Sequence, residues 1–201
     1  MAHGLFITFE GTEGSGKTTQ VELLSEWLAD RDPVVVREPG GTELGERIRE
    51  VVLFAGLEID AEAEMYLFMA ARRQLISEVI GPALAGGKIV VADRYHDSTL
   101  AYQGGARGVP SSWPNTFPRP DVTFLLEGPV ETGLGRHESA GKTKDRMEQE
   151  SIEFHRKVAA EYQRLAAAEP GRFVRLDATG SRDKIHLAVR ERLEPLIGER
   201  A

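Results

Sequence analysis

The chain contains no cysteine among its 201 residues. Disulfide bonds, thiolate catalysis and cysteine-ligated metal centres are therefore excluded, and a reducing compartment is permitted. No apolar run is long enough to cross a bilayer, and the first residues lack the basic and apolar regions of a secretory signal. These absences favour a cytoplasmic protein that does not enter a membrane.

Positive charge is also scarce, because 25 Lys and Arg stand against 32 Asp and Glu, for a formal net charge of −7. Such a balance argues against a broad nucleic-acid-binding surface. An anionic ligand would have to be small and held by a local cluster of basic side chains in a cleft. With 41% hydrophobic residues, the chain can bury the core of one domain, which we expect to span residues 1–201.

The most informative stretch has the spacing G-x-x-x-x-G-K-[ST] over residues 11–18 and follows an apolar run. In such a phosphate-binding P-loop, glycines let backbone N–H groups point inward, Lys17 reaches the β- and γ-phosphates, and Thr18 offers a hydroxyl to Mg²⁺. The alternative is a glycine-rich turn that matches by accident, and the strand-before, helix-after context argues against it. The predicted ATP-binding residues are Gly11, Thr12, Glu13, Gly14, Ser15, Gly16, Lys17, Thr18 and Thr19.

Strand-like and helix-like segments alternate along the chain. The strand candidates are residues 5–9, 34–36, 89–92, 122–126 and 173–176. The helix candidates are residues 18–29, 43–54, 61–80, 98–103, 148–168 and 182–196, and residues 104–120 read as an irregular loop. This order predicts an α/β fold with a five-stranded parallel sheet and helices on both faces. Ligands of such folds bind beyond the C-terminal ends of the strands.

Charged residues directly follow two of the predicted strands. The Asp93 carboxylate suits the second Mg²⁺-supporting position beside Thr18, and a helix cap or an ion pair with Arg94 is the alternative. Arg37 and Arg94 would point into the cleft, where guanidinium groups could grip a second phosphate-bearing substrate. Their alternative is the solvated surface position that is usual for arginine.

Phe68 and Arg72 lie four residues apart on a predicted helix and therefore share a face. Together they offer an aromatic surface and a forked donor to a flat ring. A core phenylalanine beside an exposed arginine is the alternative interpretation.

Several segments together resemble the thymidylate kinase family, in the family's order and over nearly the whole chain. They are REPGGT at 37–42, FMAAR at 68–72, DRY at 93–95, STLAYQG at 98–104 and DRMEQE at 145–150. The resemblance implies a P-loop nucleoside monophosphate kinase fold with a short lid. It also implies transfer of the γ-phosphoryl group of ATP to dTMP with Mg²⁺, which gives dTDP for dTTP synthesis, and a homodimer.

The resemblance also implies roles for individual residues toward dTMP. Phe68 would stack on thymine, while Arg72 and Thr99 hydrogen-bond its edge. Glu13 would accept a hydrogen bond from the 3′-hydroxyl, and Tyr102 would crowd the 2′ position. The implied substrate-binding residues are Glu13, Arg37, Pro39, Arg49, Phe68, Arg72, Arg94, Ser98, Thr99, Tyr102 and Gln103. Of these, the arginines at 37, 49 and 94 would hold the phosphate, Pro39 would follow a cis peptide bond, and Gln103 would help to define the base and sugar site.

A lid is implied for the bacterial branch of this family whose P-loop lacks an arginine, as residues 12–15 do here. It would cover about 137–147 and supply the catalytic cation, unless this stretch is only an exposed charged loop. The candidate donors are Arg136, Lys142, Lys144 and Arg146, and the predicted catalytic set is Lys17, Arg94, Arg136 and Arg146. The chain departs from the family in its proline-rich stretch at 108–121 and in having Glu127 where aspartate is usual.

Two rival functions follow from the same motifs. A kinase for another nucleotide would not need Phe68, Arg72 and Tyr102 in combination. A GTPase-like switch would need an Asn-Lys-x-Asp segment, which the sequence lacks. The loop around Asp177, after the last strand, is predicted to lie against adenine.

Overall fold

The computed structural model describes residues 4–139 and 145–198. Its centre is a parallel sheet whose strands are β1 Leu5–Gly11, β2 Val34–Arg37, β3 Ile89–Asp93, β4 Val122–Glu127 and β5 Phe173–Asp177. The strand order is β2-β3-β1-β4-β5, which confirms the predicted five-stranded parallel sheet. Every residue of β1 is buried, as expected for the central strand of a sheet that is covered on both faces.

The helices are α1 Lys17–Trp27, α2 Glu43–Leu53, α3 Ala61–Leu75, α4 Gly81–Ala85, α5 His96–Thr99, α6 Val130–Ser139, α7 Ile152–Ala168 and α8 Arg182–Gly198. The helices cover both faces of the sheet. Alternate residues of β1 point to opposite faces and pack in different cores. Ile7 packs in a core with α1 and α8, whereas Phe6 packs in a core with residues that follow α3. None of the helices in residues 4–139 and 145–198 is long and apolar enough to cross a membrane.

The strand order reverses at β1, and this switch point fixes where the site forms. β1 pairs with β3 on one side, with Phe9 opposite Asp93, and with β4 on the other, with Gly11 opposite Leu126. The loops after β1 and β3 therefore leave the same edge side by side. This crevice is the usual ligand site of open α/β sheets.

Two of the predicted helices include π-helical segments that the sequence did not predict. The predicted helix over residues 61–80 ends as an α-helix at Leu75 and continues as a π-helical segment, Ile76–Ile80, before α4. The predicted helix over 98–103 is instead α5 followed by a second π-helical segment, Leu100–Ala106. The predicted loop from residue 104 therefore starts later.

Helix α6 was missed, and part of the predicted lid belongs to it. Its glycines lower the helix propensity of the segment, so the sequence does not predict a helix there. Gly133 is needed because a Cβ there would come within 2.3 Å of the Glu13 carbonyl oxygen. Close packing on the P-loop thus explains Gly133, one of the two glycines that concealed the helix. Residues 140–144 of the predicted lid, with Lys142 and Lys144, lie outside the described residues.

Helix α7 begins at Ile152 and not at residue 148. Ser151 caps it by accepting a hydrogen bond from the backbone N–H of Phe154 at 3.2 Å. The preceding residues form a separate turn, in which Asp145 and Glu148 each accept a hydrogen bond from the other's backbone N–H.

Candidate active site

A cleft of about 1320 Å³ opens at the C-terminal edge of the sheet. Residues from the P-loop, the loops after β2 and β3, and α3 line it together. The predicted site residues that line it are Glu13, Gly14, Ser15, Gly16, Lys17, Thr18, Thr19, Arg37, Pro39, Arg49, Phe68, Arg72, Asp93, Arg94, Ser98, Thr99, Tyr102, Gln103 and Arg136. Gly11, Thr12 and Arg146 are not among the lining residues.

The P-loop joins β1 to α1 in the way that its glycines require. Gly16 has φ +94° at the start of α1, and Gly14 has φ +67°, a region that favours glycine. Lys17 is buried at the base of the loop, where its Nζ donates to the Thr12 carbonyl oxygen at 2.8 Å. The pKa of Lys17 falls to about 8 because burial disfavours the charged ammonium and Arg94 adds to this effect.

Thr18 and Asp93 meet across the switch point. The Thr18 hydroxyl donates to Asp93 Oδ2 at 2.6 Å, although the two residues come from different loops. The alternative ion pair between Asp93 and Arg94 does not form, because Arg94 pairs with Glu13. A hydroxyl and a carboxylate are hard oxygen ligands that suit Mg²⁺, which usually keeps phosphate and water as its other ligands.

Arg94 is held in the left-handed region, with φ +71°, directly after β3. Its Nη2 donates to Glu13 Oε1 at 2.5 Å, and its Nη1 donates to the Gly11 carbonyl oxygen at 3.0 Å. Tyr102 also donates its hydroxyl to Glu13 Oε1, at 2.9 Å. Burial opposes ionisation of Glu13, but Arg94 and Lys17 outweigh it and lower the pKa of this carboxyl to about 2. Glu13 is therefore a fixed negative charge at the centre of the cleft.

Glu10 supports this cluster from beneath and was missed by the sequence reasoning. It is fully buried at the end of β1, where burial raises its pKa. Its Oε1 accepts from the backbone N–H of Tyr95 at 2.8 Å, and its Oε2 accepts from the hydroxyls of Ser98 and Tyr162, each at 2.7 Å. An acidic residue between the apolar run and the P-loop was the available signal in the sequence.

Arg72 is buried, so the alternative of an exposed arginine is wrong. Its Nε donates to Glu38 Oε2 at 2.6 Å, and its Nη1 donates to Thr99 Oγ1 at 2.7 Å. Burial raises the pKa of Glu38 to about 7, although Arg72 opposes the rise. Glu38 was not predicted as a site residue. The Glu38–Pro39 peptide bond is cis, as predicted.

The remaining phosphate-binding candidates come from the loop and helix after β2. Arg49 Nη1 donates to the Pro39 carbonyl oxygen at 2.9 Å, whereas Arg37 is exposed and pairs with Glu46 at 3.1 Å. Thr42 caps α2 by accepting from the backbone N–H of Gly45 at 3.0 Å. This cap turns the chain so that α2 presents Arg49 to the cleft.

Glu64 is a third buried carboxylate, after Glu10 and Glu38, that the sequence reasoning missed. Its Oε1 accepts from Gln103 Nε2 at 2.7 Å and from Arg107 Nε at 2.8 Å. Arg146 forms a short ion pair with Glu64 Oε2 and donates its Nε to the Val52 carbonyl oxygen at 2.9 Å. The prediction that Arg146 faces the cleft as a catalytic cation is therefore not supported by its position, because its guanidinium is committed to Glu64.

Arg136 has a different position from Arg146. It lines the cleft from α6, and its Nη1 donates to the Ala178 carbonyl oxygen at 3.0 Å. Ala178 and Gly180 follow β5 and line the same side of the cleft. Contact of this loop with adenine stays a prediction.

Comparisons with known proteins agree with this geometry. A family model described as thymidylate kinase matches residues 9–189. A thymidylate kinase of Thermomicrobium roseum is 49% identical over 183 residues, which cover 87% of each chain. One of Chromobacterium violaceum is 43% identical over 203 residues and covers 96% of this chain and 95% of the relative.

A crystal structure of thymidylate kinase from Ehrlichia chaffeensis superposes with a TM-score of 0.78 at 31% identity, covering 95% of this chain and 99% of that one. The range that the family model matches contains the P-loop lysine and the loops after β2, β3 and β4. The chain therefore belongs to the thymidylate kinase family.

Proposed function

We propose that the protein transfers the γ-phosphoryl group of ATP to dTMP, giving dTDP and ADP for dTTP synthesis. One observation carries this proposal. One cleft is lined by Lys17 of the P-loop and by Phe68 and Arg72 of α3. A phosphate-binding loop and a surface suited to a flat polar ring thus share one volume.

The substrate's own chemistry limits what the protein must supply. A nucleoside monophosphate has a second pKa near ~6, so its attacking oxygen is largely ionised at neutral pH without a general base. The protein must align two anions and offset the charge of the transferring group. Lys17 and Arg94 provide positive charge at the P-loop, and Arg37 and Arg49 provide it at the dTMP side.

Thr18 and Asp93 are the residues that would hold Mg²⁺. When bound, Mg²⁺ supplies positive charge that neutralises the phosphates of ATP. Among residues 4–139 and 145–198, no group of three or more His, Asp or Glu side chains could hold a metal alone. Phosphate oxygens and water would therefore complete the ligand set at the Thr18 and Asp93 pair.

We assign the further catalytic cation to Arg136. The P-loop has no arginine of its own, and Arg136 lines the cleft, whereas Arg146 is bound to Glu64. Arg136 lies on α6, just before the predicted lid at 137–147. The lid would then begin at the C-terminal end of α6, within one domain that spans the chain.

A homodimer is supported by an apolar surface on α2 and its surroundings. Leu44, Val51, Leu57 and Tyr66 are between 39% and 58% exposed. Leu44 and Val51 are seven residues apart on α2 and share a face. We propose that a second copy covers this surface. Light scattering should show a dimer that Val51→Lys dissociates, while Leu187→Lys on α8, also exposed, leaves it intact.

The activity is tested by ADP release with ATP and Mg²⁺ against dTMP, dUMP, UMP, CMP, GMP and AMP. A strong preference for dTMP is the expected result. Turnover of another monophosphate in preference to dTMP would contradict the assignment of the base. No turnover with any of them would favour a regulatory binding protein.

A further inference from the structure

His96 is the first residue of α5, and its side chain lies between Arg72 and the proline-rich segment, residues 108–121. It is 1% exposed. Arg72 Nη1 lies 3.2 Å from His96 Nδ1, and His96 Nε2 lies 3.1 Å from the Ser112 carbonyl oxygen. The His96 ring therefore links Arg72 to the proline-rich segment, where the chain departs from the family pattern.

The two contacts fix the tautomer of His96. A guanidinium can only donate, so Nδ1 must be the acceptor and carry no proton. A carbonyl oxygen can only accept, so Nε2 must carry the proton and donate to Ser112. Burial, together with Arg72, lowers the pKa of His96 to about 3, so the ring is neutral at physiological pH. His96 is thus a permanent acceptor for Arg72.

The bond to His96 helps to decide which N–H of Arg72 faces the cleft. Nε donates to Glu38, Nη1 to Thr99 and His96, and Nη2 to the Tyr95 carbonyl oxygen at 3.0 Å. A guanidinium has five N–H groups. These four bonds, with a longer contact of 3.9 Å from Nη1 to Met69 Sδ, leave one Nη2–H of a side chain that lines the cleft.

Aromatic side chains of the proline-rich segment hold the His96 ring in place. Trp113 and Phe117 pack edge-on against it, with ring centroids at 4.9 and 5.6 Å. Trp113 Nε1 also donates to the Phe117 carbonyl oxygen at 3.1 Å, which closes this turn of the segment. The His96 ring has packing on one side and Arg72 on the other, so its orientation is fixed.

We propose that His96 is a positioning residue for base recognition, which orients Arg72 so that its remaining N–H is presented to O4 of the pyrimidine. This inference rests on the proposed dTMP kinase activity and deepens it. Thymine carries an acceptor at O4, whereas cytosine carries an amino donor at the same place. His96 would therefore contribute to the choice of dTMP over dCMP.

The test compares three substitutions that separate the two bonds. His96→Asn keeps an oxygen near the place of Nδ1 and loses the contact with Ser112. His96→Gln keeps an amide near the place of Nε2 and loses the acceptor for Arg72, and His96→Leu loses both. His186→Leu on α8, outside the cleft lining, is the matched control. The readouts are the Kd of dTMP and of dCMP by calorimetry, KM and kcat for dTMP, KM for ATP, and the unfolding temperature.

We expect His96→Leu and His96→Gln to raise the Kd and KM for dTMP about tenfold, as loss of one hydrogen bond to a charged group would. The Kd of dCMP, the KM for ATP and kcat should change less than about threefold, and His96→Asn should restore dTMP binding. Equal losses for dTMP and dCMP, or an Asn variant no better than Gln, would overturn the proposal. If His96→Leu does not fold, the Asn and Gln pair decides.

Failure of the proposed function is distinguishable from failure of this inference. A wild-type chain that does not phosphorylate dTMP would contradict the function. The calorimetric comparison needs no turnover, so it would still decide whether His96 orients Arg72 toward the base.

Discussion

Arg94 Nη2 and Glu13 Oε1 lie 2.5 Å apart and join the P-loop to the loop after β3. Both side chains are only 16% exposed, so this ion pair is largely shielded from solvent. Arg94 reaches it because the backbone adopts φ +71°, which turns the side chain back over the end of β1. The pair therefore ties together two loops that line the same cleft.

Acid should weaken the fold through Glu13. Its pKa is about 2 in the folded chain against an ordinary value of 4.5. A depressed pKa contributes stability that is complete above pH 4.5 and is lost as pH falls toward 2. We expect Glu13→Gln to lower the free energy of unfolding by about 1–3 kcal/mol at pH 7 and to have less effect near pH 2. Urea unfolding across this range checks it, with Glu22→Gln on the exposed side of α1 as control.

Lys17→Ala should reduce kcat by about 100-fold or more, because the P-loop would lose the positive charge that we expect to offset the charge on the transferring group. The Kd of ATP should rise much less, since the backbone of the P-loop still binds phosphate. Steady-state kinetics and calorimetry measure the two effects. Lys157→Ala, on an exposed position of α7, should be near wild type. Near-normal turnover of Lys17→Ala would contradict the assignment of the P-loop.

Asp93→Asn should raise the Mg²⁺ concentration needed for half-maximal activity by about tenfold, because the site loses a carboxylate charge. Removal of divalent ions with EDTA should abolish turnover in the wild type. Mg²⁺ titrations of both proteins, with Asp183→Asn on α8 as control, provide the measurement. An unchanged Mg²⁺ requirement in Asp93→Asn would argue against the metal role of this residue.

Arg136 and Arg146 should separate catalysis from stability. Arg136→Met should lower kcat by about 100-fold with little change in the unfolding temperature, because Arg136 is exposed and lines the cleft. Arg146→Met should lower the free energy of unfolding by about 1–3 kcal/mol, because buried Glu64 loses a partner. Kinetics and urea unfolding on both variants test this, and the reverse pattern would restore Arg146 as the catalytic cation.

Asp97→Asn should cost about 3 kcal/mol of unfolding free energy. Arg172 donates to Asp97 Oδ2 at 2.6 Å and to Oδ1 at 2.9 Å, and both side chains are buried. Among the residues that the structure describes, losing the carboxylate charge would leave the guanidinium with only Glu169 as an ionic partner. Urea unfolding checks the loss, and a cost below about 0.5 kcal/mol would show that Glu169 alone offsets the buried charge.

Local patterns in the sequence were sufficient for the sheet and for the P-loop. Runs such as residues 89–92 are apolar at every position, as a strand buried on both faces requires. The glycine spacing at 11–16 is that of a phosphate-binding backbone turn. Thr18 and Asp93 could be paired as metal ligands because parallel strands bring their C-terminal ends to one edge. Phe68 and Arg72 could be paired because helical spacing is fixed.

The partners of buried charges were beyond the reach of sequence patterns. Arg72 is paired with Glu38 and Arg146 with Glu64, residues that are 34 and 82 positions apart in the chain. No periodicity relates such residues, and an isolated Glu or Arg reads as a surface charge. Helix α6 was hidden for a related reason, since Gly133 is required by packing on Glu13 and not by the helix itself.

The sequence by itself determined the strands, the phosphate-binding loop and the family, because these depend on short-range spacing and on the burial of apolar runs. Only the tertiary structure decided that Arg136 lines the cleft and that Arg146 pairs with a buried carboxylate, Glu64. The physical reason is that a buried charge must find a partner in space, and the cost of leaving it unpaired selects that partner wherever the fold brings one near.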